Sequence, residues 1–241
     1  MKLKLSLAVA LCMAATSAFA DSDDHGSNGG RCSISQKDVQ SIQNQLASVV
    51  NLADGNGSIF GNLFAGPNRM WSAVVDRSGV LCSVIVTGDA WPGSRSIAIA
   101  KASAANDFSN DALALSTANL YAATQPGGPL YGLNNSNPFN PQYQAQGTGI
   151  NQVPGGIITF GGGVPLYKNG KVIGGLGVSG DSACADHTIA YRMRAQSGFN
   201  NIPAGVGFNK TDNIDYPASG SPTGFQHPHC FPGTDIDPSH I

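Results

Sequence analysis

The stretch VPLYKNGKVIGGLGVSG, residues 164–180, restricts this chain more than any other. Asn169-Gly170 suits the two positive-φ positions of a type I′ turn, and it stands between two strand-like runs, so the segment predicts a tight antiparallel hairpin. The return arm carries Gly174, Gly175 and Gly177, and Gly175, Gly177 and Gly180 have the spacing G-x-G-x-x-G. A dinucleotide-binding turn with that spacing needs a parallel strand after the next helix, with an acidic residue about 20 residues past the glycines. Here the helix is followed by a Pro/Gly-rich tail with no β-rich run. The glycines predict instead a place where another backbone, or a flat ligand, packs close to the strand.

MWSAVVDRSGVLCSVIVTGD (70–89) is a second hairpin, turning at Asp76-Arg77-Ser78-Gly79. Ser35 is a natural cap for a helix whose Val39, Ile42, Leu46, Val49 and Val50 share one face. Further helices are predicted over 94–108, 110–124 and 182–197, the last closed by Gly198. GIITF (156–160) reads as a strand. Residues 125–156 are a long Gly/Pro/Asn/Gln-rich loop. A loop of that length marks a functional or interface excursion. Hairpins outnumber strand–helix alternation, so the expected class is α/β in the α+β sense: an antiparallel sheet with helices packed on its faces.

The N-terminus has a different purpose. Lys2 and Lys4 precede an apolar run, LSLAVALCMAA, too short to remain as a membrane span, and Ala18-Phe19-Ala20 is a small-x-small cleavage site. The expected division is a signal peptide at 1–20, a flexible arm at 21–33, one domain at 34–198 and an irregular tail at 199–241 packed on it. The mature protein is expected in the periplasm or secreted. The 13 basic residues less Lys2 and Lys4 leave 11 against 15 acidic ones, taking the formal charge from −2 to −4. No basic stripe remains, which argues against nucleic acid as a partner. The chain contains no glutamate, which excludes Glu-based metal and glycosidase motifs. Cys32, Cys82, Cys184 and Cys230 survive processing. Four cysteines in an exported chain read as two disulfides with three possible connectivities, of which Cys32–Cys82 with Cys184–Cys230 is favoured here.

GGGVPLYKNGKVIGGLGVSG followed by ADHTIA resembles the hallmark of the GlcG/HbpS-like heme-binding family. VVDRSGVL and DAWPGSRSIAIAKASAAN resemble its other signature, and the similarity spans about residues 70–198, with LYGLNNSNP between. The resemblance implies a profilin-like fold, homo-oligomerisation and, for an exported member, heme as cofactor. The cysteines, the 125–156 loop and the tail depart from the short family form.

Heme binding needs an axial ligand, an apolar slot and donors for the propionates. His187, at the start of the last helix, could face a ligand packed on Gly175 and Gly177, with Asp186 beside it. His227 and His229 form an H-x-H beside Cys230, and a Cys184–Cys230 bridge would bring His187 and His227 together as ligands to the heme iron. The plainer alternative for His187 is a first-turn histidine satisfied by solvent or backbone. His25 and His240 are expected to be solvated. Arg95 and Lys101, with Arg192 and Arg194, are candidate propionate partners. Tyr167 and Tyr191 read as packing residues with a wet tip. The expected function is capture, storage or sensing of extracytoplasmic heme rather than turnover. Two rivals stand beside it: a small-molecule enzyme of the same fold using His187 and Asp186, and a partner-binding oligomer without ligand.

Overall fold

The computed structural model describes residues 30–53, 69–217, 224–230 and 237–241, with side chains at 51–53 left aside. The predicted signal peptide, most of the predicted arm and His25 lie outside the described residues.

Helix α1 (Gln36–Gln43) begins where Ser35 Oγ accepts the Asp38 N–H at 3.1 Å. The predicted single helix breaks at Asn44-Gln45, and α2 (Leu46–Ala53) continues it. The break keeps Val39, Ile42, Leu46, Val49 and Val50 in one buried cluster. Strands β1 (Trp71–Asp76) and β2 (Leu81–Val86) form the first hairpin, with Gly79 at φ 81° in the turn. Helix α3 (Ser94–Asp107) follows, then a single turn, α4 (Tyr121–Thr124). Strands β3 (Gly163–Lys168) and β4 (Lys171–Ser179) form the second hairpin, with Asn169 at φ 53° and Gly170 at φ 72° as the turn chemistry requires. Helix α5 (Ala183–Gln196), capped by Ser182, closes the regular structure, and Gly198 at φ 82° ends it.

The four strands lie in the order β2-β1-β4-β3, every neighbour antiparallel, which is the predicted α+β sheet. Side chains alternate across it. Val74, Val164, Leu166, Leu176 and Val178 pack with α1, α2 and α5 on one face. Trp71, Ala73, Val75 and Leu81 pack with Ala98, Ile99 and Ala102 of α3 on the other. The same alternation turns Gly175 and Gly177 toward α3. A Cβ on Gly175 would lie 2.1 Å from the Ala102 carbonyl oxygen, and one on Gly177 would lie 2.0 Å from that of Ala98. The close neighbour of the glycine strand is therefore a helix backbone.

Of the helix predicted over 110–124 only the last turn, α4, forms, and the strand predicted at 156–160 does not. Residues 110–120 are irregular because polar side chains take the amides a helix would use. Asn110 Oδ1 accepts from the N–H groups of Ala112 and Leu113, Ser109 Oγ from Leu115, and Asn119 Oδ1 from Ser116. Residues 156–160 form no strand. They run beside α3, where a Cβ on Gly156 would lie 2.7 Å from Cβ of Ala100. The 125–156 loop holds two 3-10 turns and crosses the start of β2, where the Leu81 N–H donates to the Gln152 carbonyl at 2.8 Å. No helix among the described residues is long and apolar enough to cross a membrane.

Candidate functional site

Disulfides join Cys32 to Cys82 and Cys184 to Cys230. The second ties residues 224–230 to the first turn of α5, and His187 and His227 both lie against Gly161. The Gly161 N–H donates to His227 Nε2 at 3.2 Å, and a Cβ on Gly161 would lie 3.1 Å from that of His187.

Both rings are enclosed by backbone. His187 has no exposed surface and His227 is 2% exposed. The Ile214 N–H is shared between His187 Nε2 at 3.0 Å and Asn213 Oδ1 at 2.8 Å, while His187 Nδ1 has no partner. Burial pushes the His187 imidazole down to about 3, so it is neutral near pH 7. His227 donates from Nδ1 to the Pro228 carbonyl at 2.8 Å, and its ring lies 5.0 Å from that of Tyr121. Both imidazoles predicted as ligands to a heme iron are buried and held by partners within the protein.

Asp186 and Lys101 also find each other rather than a ligand. Lys101 Nζ donates to Asp186 Oδ2 at 2.7 Å and to the Val178 carbonyl at 3.1 Å, with no side-chain exposure, and lies 4.8 Å from the Phe160 ring centroid. Asp186 Oδ1 accepts the Asp181 N–H at 3.0 Å. Burial pushes Asp186 up to about 6 and lowers Lys101. The Asp186 carboxyl closes the floor of a pocket of about 270 Å³ walled by Trp91, Ile97, Phe160 and Gly180. Arg194 is likewise consumed inside the protein, pairing with Asp212 from two guanidinium nitrogens, the longer contact being 2.7 Å. Gly175 and Gly177 face the backbone of α3 at Ala98 and Ala102.

Arg95 is placed differently. It lines a groove of about 730 Å³ with Trp71, Val86, Asp89, Ala90, Pro92 and Pro141, closed on one side by Gln144, Ala145 and Gln146 of the long loop. Its Nη1 donates to the carbonyls of Tyr143 and Gln144, and its Nη2 to that of Thr148 at 2.6 Å. Nε is buried and has no partner. The groove has an apolar wall backed by the Arg95 guanidinium, which is 1% exposed, and Asp89 lies on its rim. Sequence reasoning named Arg95 but missed the groove, whose signal is the DAWPG corner following a β-branched strand. Nothing in the sequence marks Lys101 and Asp186 as partners, since they lie 85 residues apart.

A family model described as "Haem degrading protein HbpS-like" matches residues 66–195. An uncharacterised 15.0 kDa protein from the dhaT–dhaS intergenic region of Citrobacter freundii is 34% identical over 118 residues, 49% of this chain and 68% of that protein. The corrinoid adenosyltransferase PduO of Citrobacter freundii is 37% identical over 79 residues, 33% of this chain and only 19% of that relative's length. The crystal structure of Klebsiella pneumoniae protein ORFY shares the fold, with a TM-score of 0.51 at 24% identity over 68% of this chain and 90% of that one.

Proposed function

The chain belongs to the HbpS-like family, and from that premise we propose that it binds heme in the groove beside Arg95. The carrying observation is the groove itself: about 730 Å³, apolar along Trp71, Val86, Ala90 and Pro92, and backed by the buried Arg95 guanidinium. The residues present fit the group. Trp71 and Pro92 would flank the macrocycle and exclude water, Arg95 would meet a propionate, and Asp89 would offer the iron an oxygen. Bound heme supplies a redox-active iron centre. Two disulfides and the signal-like N-terminus support a role outside the cytoplasm, in capture, storage or sensing of heme by an oligomer of this chain.

An absorption titration of the purified protein with hemin tests this. A saturable Soret shift is expected, unchanged in His187→Ala and His227→Ala. It should weaken about tenfold or more in Ala145→Trp, which fills the groove from an exposed loop position. No saturable shift refutes heme as the ligand. A shift that follows either histidine and ignores Ala145→Trp refutes the groove.

A further inference from the structure

The two disulfides have unlike surroundings. Cys184 is the second residue of the 14-residue helix α5, and its N–H donates to Cys230 Sγ at 3.1 Å. Its own Sγ lies 3.9 Å from His227 Nδ1. Because the Gly161 N–H occupies the lone pair of Nε2, the ring proton sits on Nδ1, between the Pro228 carbonyl at 2.8 Å and that sulfur. Around Cys32–Cys82 the sign is reversed. One Asp76 carboxylate oxygen lies within 4.8 Å of both sulfurs, and the carboxylate is fixed there by the N–H groups of Ser33, Ser78 and Val80. Access differs within the Cys184–Cys230 bridge as well: Cys184 is 3% exposed, whereas Cys230 is half-buried, as Cys32 and Cys82 both are.

We propose that Cys184–Cys230 is a thiol–disulfide exchange site whose substrate is a dithiol reductant, while Cys32–Cys82 is a fixed brace. A thiolate of the dithiol attacks Cys230 Sγ, the more accessible sulfur. A mixed disulfide forms, and the electron pair of the broken S–S bond passes to Cys184 Sγ, which leaves as a thiolate. The His227 Nδ1–H, shared with the Pro228 carbonyl, and the amino end of α5 meet that charge, and a stabilised leaving thiolate departs faster. The second thiol of the dithiol, on losing its proton, attacks its own partner sulfur in the mixed disulfide and releases Cys230 as a thiolate. The dithiol loses two electrons, the protein bond gains them, and the two dithiol protons pass to the cysteine sulfurs or to water. Reduction leaves residues 224–230 held by hydrogen bonds, among them His227 N–H to the Asp215 carbonyl at 2.9 Å. The exchange site is independent of heme binding.

The test is a titration of the oxidised full-length protein with dithiothreitol at pH 7, quenched by acid, alkylated and quantified by peptide mass spectrometry. Cys184 and Cys230 should become alkylated at about tenfold lower dithiol than Cys32 and Cys82. With 2-mercaptoethanol, the trapped mixed disulfide should map to Cys230. His227→Gln should slow opening severalfold and move the pH profile of the rate. A tail that was merely loosened by this substitution would open faster, so the direction separates the two roles. Asp76→Asn should ease reduction of Cys32–Cys82 alone. Simultaneous opening of both bridges, attack on Cys184, or faster opening in His227→Gln overturns the proposal.

Discussion

Replacing Gly177 by alanine tests why the glycines stand on β4. The new Cβ would lie 2.0 Å from the carbonyl oxygen of Ala98 and 2.5 Å from the amide nitrogen of Ala102, against 3.4 Å for an ordinary contact. Both obstacles are main chain, so no rotamer change relieves them, and α3 must retreat by roughly 1 Å or more from a sheet it now touches. Overpacking of this kind costs about 1–3 kcal/mol, and a backbone obstacle belongs at the upper end. The stiffer unfolded chain returns about 0.4–1 kcal/mol. The net loss is about 2 kcal/mol, which for a domain of this size lowers Tm by about 4–8 °C. Calorimetry with the disulfides intact reads it directly. Gly93→Ala is the control: its φ is −66° and nothing lies within 4 Å of the added carbon, so Tm should hold or rise slightly. A Gly177→Ala protein melting within about 1 °C of the parent would refute the helix-contact account and reopen the strand to a ligand.

Two neighbouring residues give opposite pH dependences. His187 is pushed down to about 3, so its contribution to stability is whole above about pH 6.5 and is lost as pH falls and the unfolded chain takes up the proton first. Asp186 is pushed up to about 6, so the folded state gains as pH falls from about 6 toward 4. Urea denaturation between pH 7 and 4 should show His187→Gln losing less stability in acid than the parent and Asp186→Asn losing more. Three parallel curves would refute both assignments. The Arg194–Asp212 pair is wholly buried, so Asp212→Ala should cost about 3–5 kcal/mol, while Arg194→Met combined with Asp212→Leu recovers most of it. Denaturation midpoints decide this, and a double variant no better than the single one would refute it.

Much of the fold is legible because local chemistry and tertiary structure agree. Asn169-Gly170 and Gly79 set their hairpins through backbone conformations that few other residues adopt, and Ser35 and Gly198 mark helix ends by the same logic. Agreement fails at 110–120. The alanine and leucine content there favours a helix, but Ser109, Asn110 and Asn119 offer the backbone closer partners, and only tertiary packing decides between them. At the site, sequence spacing brings the two histidines near each other once the Cys184–Cys230 bridge is granted, yet says nothing of enclosure. His187 is closed in by Asn213 and Ile214, and His227 by Gly161, contacts made by irregular segments with no periodic signature. Lys101 shows the same limit. A lysine on an alanine-rich helix reads as a candidate partner for a ligand's propionate until β4 and α5 place a carbonyl and a carboxylate over it.

Arg95 has a consequence for how occupancy of the groove would be felt. One guanidinium gathers three carbonyls, of Tyr143, Gln144 and Thr148, and so fastens the outer wall of the groove to α3. Any anionic guest that draws this group toward itself must share it with those carbonyls. Arrival of the guest is then recorded in the peptide frequencies and amide shifts of residues 143–149, some distance from the guest's own chromophore. The loop is a gauge as well as a wall, and isotope-labelled carbonyls there would follow loading even for a colourless ligand.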